Sequence, residues 1–214
     1  MKKIKIKLAI GYMISILPTS YIRVFFYRYI FKYDIQKSTI GWGTVIVVED
    51  VKMYECFIGK KNKFKGPMKI TIHKGARIGY ENIFNCGWWV LEKKFISKNY
   101  KKSLEIGKNT HISNRHYFDI VDSFMLRDFS WIAGCASQFW THGASTTDRE
   151  INIGEHCYIG SAVRFSPGSS INNNTIVALG SVVTRKFDMD NVLIGGQPAK
   201  ILKENYDWKT KNIY

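Results

Sequence analysis

Five histidines are the side chains best suited to move protons in this 214-residue chain. His142, in the run Phe139-Trp140-Thr141-His142-Gly143, lies where the hydrophobic periodicity governing most of the chain breaks off. An imidazole titrates near neutrality, so at such an opening it could take a hydroxyl proton, a contribution worth about 10²–10⁴-fold. Its other ring nitrogen would need a carboxylate or carbonyl to fix tautomer and orientation. Asp119, Asp148 and Glu150 are the candidates, and the sequence does not choose among them. His116, in the element His116-Tyr117-Phe118-Asp119, precedes His142 by 26 residues. His156 lies within a regular stretch and reads as structural. Cys56, Cys86, Cys135 and Cys157 are widely spaced with no C-x-x-C pair. Free thiols in a reducing compartment fit better than disulfides or structural zinc.

The elements that must position these groups repeat every six residues. Ile153, Ile159, Phe165, Ile171, Val177 and Val183 are each followed by a small or polar residue. Neither a helix nor an alternating strand has that period; a short strand that turns a corner and repeats does. The pattern starts at Ile40 and runs through Ile46, Lys52, Ile58, Phe64 and Ile70, with Lys52 a miss. It slips by two to Ile72, Ile78, Phe84 and Val90, then continues at Ile106, Ile112 and Phe118. A second slip leads to Ile120, Leu126, Ile132 and the other miss, Gln138. Three faces per turn give seven to eight coils, enough to bury a continuous core. Residues 91–105 and 139–152 are expected to be loops inserted at corners.

The remaining chain supplies the ends. In residues 1–37, Lys2, Lys3, Lys5 and Lys7 precede an apolar run, and an aromatic segment with Arg23, Arg28 and Lys32 follows. The first run is too short to span a bilayer and the second too charged. A signal peptide would need an A-x-A-like cleavage site, which is missing. Two helices are expected, either lying in a membrane interface or capping the first coil; the two roles are compatible. The net charge of +15 points to an anionic partner, but no zinc-finger, RRM-like or Arg-rich motif supports nucleic acid. After Val183, Gly195-Gly196 permits a turn and Ala199 to Asn205 reads as a short closing helix. The organisation expected is a helical segment at 1–37, a coil domain at 38–190 and a capping strand or helix at 191–214.

The run IGEHCYIGSAVRFSPGSSINNNTIVALGSVVTRK, followed by IGGQPAKIL, resembles the hexapeptide-repeat acyltransferases, which include galactoside, maltose and serine O-acetyltransferases. SNRHYFDIVDS, IAGCASQFWTHG and the lead-in YRYIFKYDI look closer to the branch found with surface-polysaccharide and O-antigen biosynthesis. The resemblance spans about residues 38–203; Gln197 departs from the Asn or Val more usual before Pro-Ala.

It implies an all-β solenoid, a left-handed parallel β-helix with helical lead-in and short C-terminal helix, assembled as a homotrimer. It implies transfer of an acetyl group from acetyl-CoA, without a metal, to a sugar hydroxyl of a polysaccharide or lipid-linked glycan precursor. His142 would be the general base in a direct transfer, and Cys135 and Cys157 buried structural thiols, not acyl carriers. Asn114, His116, Asp119 and Tyr158 would meet the acceptor. Ser161, Gly180, Thr184, Arg185 and Lys200 would hold the cofactor, Arg185 and Lys200 meeting its phosphates. The location expected is cytoplasmic, and the basic, aromatic character of residues 1–37, not the resemblance, adds a peripheral contact at the inner membrane face. Alternatives are an N-acetyltransferase acting on an amino-sugar nucleotide and a non-catalytic solenoid binding module. A third, a zinc enzyme like the γ-class carbonic anhydrases, would use His73, His111 and His116, but the registers place these apart.

Overall fold

The computed structural model describes residues 2–211; residues 1 and 212–214, the extremes of the two end segments, lie outside the described residues. Two helices, α1 (Lys2–Ser15) and α2 (Ser20–Phe31), precede a left-handed parallel β-helix built from strands of two to five residues. The strands stack into parallel sheets of eight, nine and seven, which we call the first, second and third faces in the order the chain visits them. The ninth strand of the second face, Ala199–Lys203, is antiparallel.

One inward residue per strand builds the core. Isoleucine and valine fill the second face from Ile40 to Ile194, where a β-branched side chain suits a pleated, enclosed surface. On the third face Phe64, Phe84, Phe118, Phe139 and Phe165 stack with successive ring centroids 4.4, 4.4, 4.7 and 5.2 Å apart. The first-face strands from Asp50–Tyr54 to Ile151–Ile153 turn two residues inward, as Ile70 and Ile72 or Phe124 and Leu126 do. The slips of two expected from the sequence are therefore wide strands, not breaks.

Several register positions shift. Lys52 faces solvent while Val51 and Met53 point inward, and Phe139, not Gln138, occupies the third-face core. Val90 is buried but belongs to a 3-10 turn, Trp88–Leu91. The first excursion thus begins at Gly87 and ends where the strand Ser103–Ile106 resumes. The second is shorter than expected, because Gln138–Trp140 and Ile151–Ile153 are strands; it covers 141–150. Both leave from the corner between the third and first faces.

The other two corners follow one rule. A residue with positive φ turns the chain, and a buried small or polar residue follows it. Between the second and third faces the turning residues include Lys61, Glu81, Arg115, Ala136, Ala162 and Gly180. Next come Asn62, Asn82, His116, Ser137, Val163 and Ser181. Asn62 donates to the Gly59 and Gly79 carbonyls at 3.0 and 2.7 Å, and Asn82 donates to that of Ser113 at 2.9 Å. These side chains satisfy corner carbonyls that no sheet reaches.

The helices cap the open first coil. The buried Arg23 guanidinium donates to the Ile40 carbonyl at 3.0 and 2.8 Å and to that of Leu17. Tyr27 donates to the Thr44 carbonyl at 3.0 Å and accepts from the Ile46 N–H at 3.1 Å; Tyr33 brackets Val48 in the same way. Gly11 lets α1 approach the third face, since a Cβ there would lie 2.3 Å from Val47.

At the far end the closing helix read at 199–205 is instead a strand. Ala199–Lys203 folds back on Leu193–Gly196 through Gln197 and Pro198, covering the second-face edge with the chain itself. The short C-terminal helix comes later, as α3 (Trp208–Lys211), where the Trp208 indole donates to the His156 carbonyl at 2.9 Å.

Candidate active site

His142 stands at the root of the second excursion, one third of its side chain open to solvent. Its Nδ1–H donates to Asp119 Oδ2 at 2.7 Å, which leaves the Nε2 lone pair without a hydrogen-bond partner among the described residues. Asp119 follows the core residue Phe118 and is buried beneath the excursion. Its carboxylate also accepts from the Thr141 N–H at 3.1 Å, and the Thr141 hydroxyl donates to the Asp119 carbonyl at 2.8 Å. Thr141 in turn accepts from the Asp122 N–H at 2.9 Å. A carboxylate held on several sides fixes the ring and its tautomer.

Of the three candidate orienting groups, Asp119 is the one on His142. Asp148 pairs with Lys186 at 2.7 Å and Glu150 with Lys101. The hydrogen bond to Asp119 raises the His142 pKa above its ordinary value, against the opposing effect of burial. Asp119→Asn removes that support. In a pH–rate profile its acid-side limb is expected to move to lower pH and the plateau to fall about 10–100-fold. An unmoved limb would show that Asp119 does not tune the ring.

The excursions wall this corner together. Trp89, from the first, tilts against His142 with ring centroids 5.4 Å apart. Arg149, from the second, donates to Asp122 Oδ2 at 2.7 Å and to the Lys98 carbonyl at 2.9 Å, and lies over the Tyr100 ring. On the third face beside Asp119, Tyr117 and Trp140 meet at 5.0 Å. Trp89, Tyr117, Trp140 and Arg149 were not singled out from the sequence. Trp140 and Tyr117 are outward neighbours of His142 and Asp119 on expected strand positions, which is a usable signal; Trp89 precedes Val90, which the register places on a strand, so nothing in the sequence marks it as part of the excursion.

Only Asp119 among the acceptor candidates adjoins His142. His116 is a correction: it is 1% exposed and occupies the same corner column as Asn62 and Asn82. Its Nδ1 accepts from the Ser137 N–H at 3.1 Å, and burial lowers its pKa to about 4. It is a neutral corner residue, out of reach of a dissolved sugar. Asn114 uses its side-chain oxygen to accept from the Tyr80 N–H at 2.9 Å at the same corner. Tyr158 lies on the second face between Trp131 and Trp208.

The cofactor candidates fall in two groups. Ser161 and Gly180 share the corner between the second and third faces, with the Gly180 N–H donating to the Ser161 carbonyl at 2.9 Å. Gln197 donates to the Gly180 carbonyl at 2.7 Å, and Lys200 pairs with Gly195 nearby. Except for Gly43, the other residues at Gly180's turning position carry side chains at positive φ; a Cβ on Gly43 would meet Lys61 Cγ at 3.2 Å, whereas one on Gly180 would touch nothing within 4 Å. The absence of a side chain there leaves open surface that the fold itself does not use. Thr184 and Arg185 lie exposed at the other margin of the third face, the corner that carries His142. Arg185 and Lys200 are exposed cations.

His73, His111 and His116 do not converge. His73 bonds Glu105 at 3.2 Å on the first face, His111 packs on Trp131 on the second, and His116 is inside a corner. Among the described residues no group of three His, Cys, Asp or Glu side chains is placed to hold a metal. Cys157 is buried, which pushes its thiol up to about 12, and it donates to the Asn172 carbonyl; Cys135 is half-buried. His156 stacks on Phe129 at 5.0 Å, as a structural residue would.

No family model matches the chain. Galactoside O-acetyltransferase of Escherichia coli is 36% identical over 64 residues, 30% of this chain and 30% of that protein. The chain spans 27% and 30% of the lengths of the curated relatives it matches. The UDP-N-acetylglucosamine acyltransferase of Campylobacter jejuni is 14% identical over 81% of this chain and 64% of its own, with a TM-score of 0.54. A galactoside acetyltransferase in complex with coenzyme A is 14% identical over 100% of this chain and 86% of its own, with a TM-score of 0.50. The two structural likenesses show the fold, a left-handed parallel β-helix.

Proposed function

We propose that the protein is an acetyl-CoA-dependent O-acetyltransferase acting on a sugar hydroxyl of a surface polysaccharide or its lipid-linked precursor, at the inner face of the plasma membrane. The observation that carries this is the His142–Asp119 pair, with Nε2 unpartnered and the ring partly exposed at the foot of an aromatic-walled corner. The local match to a galactoside O-acetyltransferase and the coenzyme A complex of a protein with the same fold support the donor and the reaction class.

In this reading Nε2 takes the proton of the acceptor hydroxyl as its oxygen attacks the thioester carbonyl. The C–S bond then breaks, and the imidazolium returns the proton to the departing thiolate. No enzyme nucleophile is needed, in keeping with the buried Cys157 thiol. Asp119 stabilises the transient imidazolium. Aromatic surface from Trp89 and Trp140 suits a sugar ring, whose C–H faces are apolar.

Ser161 and Gly180 are separated from His142 by the width of the third face. A cofactor lying against both groups is best accommodated where that corner of one copy meets the His142 corner of another, as in a cyclic homotrimer. The test is incubation of purified protein with labelled acetyl-CoA and a lipid-linked glycan fraction. Label released from the glycan by mild alkali is the expected result, because esters hydrolyse there. Alkali-stable label would mean amide formation, and no transfer to any glycan would overturn the reading.

A further inference from the structure

The inner faces of α1 and α2 are used up in capping; their outer faces have no task within the chain. Ile6 and Met13, seven apart on one face of α1, are 53% and 60% exposed, and Ile16, just past its end, is 61% exposed. Tyr21, Phe25 and Tyr29, four apart on α2, are 83%, 53% and 65% exposed. Phe25 and Tyr29 stack at 6.0 Å, and Lys32 Nζ lies 5.0 Å from the Tyr29 ring. An open groove of about 460 Å³ runs between Phe25, Arg28, Tyr29, Lys32 and Tyr33.

Within the helical segment itself the charge has one sign. Residues 1–33 contain no Asp or Glu, and Lys2, Lys3, Lys5, Lys7, Arg28 and Lys32 are all exposed. Exposed aromatics at helical spacing, flanked by uncompensated cations, match the boundary between lipid headgroups and acyl chains. Among the described residues no helix is long and apolar enough to cross a membrane.

We propose that α1 and α2 form a docking surface for an anionic lipid bilayer, with the Tyr21–Phe25–Tyr29 stripe in the headgroup layer and Arg28 and Lys32 on lipid phosphates. This deepens the proposed function by bringing the reaction to the bilayer. A cleft of about 400 Å³ lined by Ile4, Lys5, Trp88, Trp89 and Glu92 joins the start of α1 to the tryptophan that touches His142. A lipid-linked acceptor reaching the protein from the bilayer would meet this cleft before the imidazole. Lipid binding itself needs neither coenzyme A nor a glycan, so its failure and that of the acetyltransferase reading are separable.

The test is co-sedimentation of the full chain with vesicles of phosphatidylcholine alone, or with about one-third phosphatidylglycerol. Binding is expected only to the anionic vesicles. It should fall about tenfold or more in Tyr21→Ser/Phe25→Ser/Tyr29→Ser and in Arg28→Glu/Lys32→Glu, and stay unchanged in Tyr54→Ser, an exposed aromatic elsewhere. Should the α2 variants melt early, replacing Lys2, Lys3, Lys5 and Lys7 with Gln carries the test, since those side chains are exposed. Wild-type partitioning by the variants overturns the proposal. So does a change in their oligomeric mass with vesicle binding retained, which would make the stripe a contact between copies.

Discussion

Replacing His142 with alanine is expected to lower acetyl transfer by about 10²–10⁴-fold while leaving the fold and the binding of coenzyme A intact. The side chain is held by one hydrogen bond to Asp119 and one ring contact to Trp89, and none of the core ladder rests on it. Its loss should therefore appear in kcat, with little change in the melting temperature or in the calorimetric affinity for coenzyme A. A variant retaining wild-type kcat would remove the general base from the mechanism. One that lost coenzyme A binding along with activity would make His142 a ligand-binding residue instead.

Phe118→Ala should be the most damaging core substitution near the site, costing about 3–5 kcal/mol. The ring is fully buried, 4.4 Å from Phe84, 4.7 Å from Phe139 and edge-on to Phe124 at 5.1 Å, so its removal opens the stack on three sides. In a solenoid each coil rests only on its neighbours, and no distant element can move in to fill the gap. For a chain of this length the melting temperature is expected to drop by roughly 6–20 °C. Ile96→Ala, on the exposed excursion, should change stability by no more than about 0.5 kcal/mol. Because Asp119 follows Phe118 directly, activity should fall with stability. A melting curve for Phe118→Ala that overlaid the wild type would contradict the stacked core.

The solenoid was legible because one inward residue per strand, six apart, survives as a pattern whatever the corners do. The misreadings came from places where a strand gained residues or a corner gained or lost one. Lys52 fell on the expected step because the corner before it is one residue shorter than six allows, which brings Val51 and not Lys52 inward, whereas the corner before Phe139 is one residue longer and leaves Gln138 one short. The antiparallel Ala199–Lys203 looked helical because its composition suits both forms, and what decides is the open sheet edge it covers. His142 could be picked out because the register fails beside it. Asp119 could be named but not chosen over Asp148 and Glu150, since that choice depends on how the excursion folds back over the third face. His116 was misassigned although the information was present: it sits two residues before Phe118, as Asn62 and Asn82 sit two before Phe64 and Phe84. A column of buried corner donors predicts a structural imidazole there.

The central claim is that His142 Nε2 faces the thioester of acetyl-CoA. A crystal structure with coenzyme A tests it directly. The account predicts the coenzyme A sulfur beside the His142 ring, with the pantetheine arm passing Gly180 and Ser161 of one copy or its neighbour. Coenzyme A bound with its sulfur remote from every His142 in the assembly would contradict it.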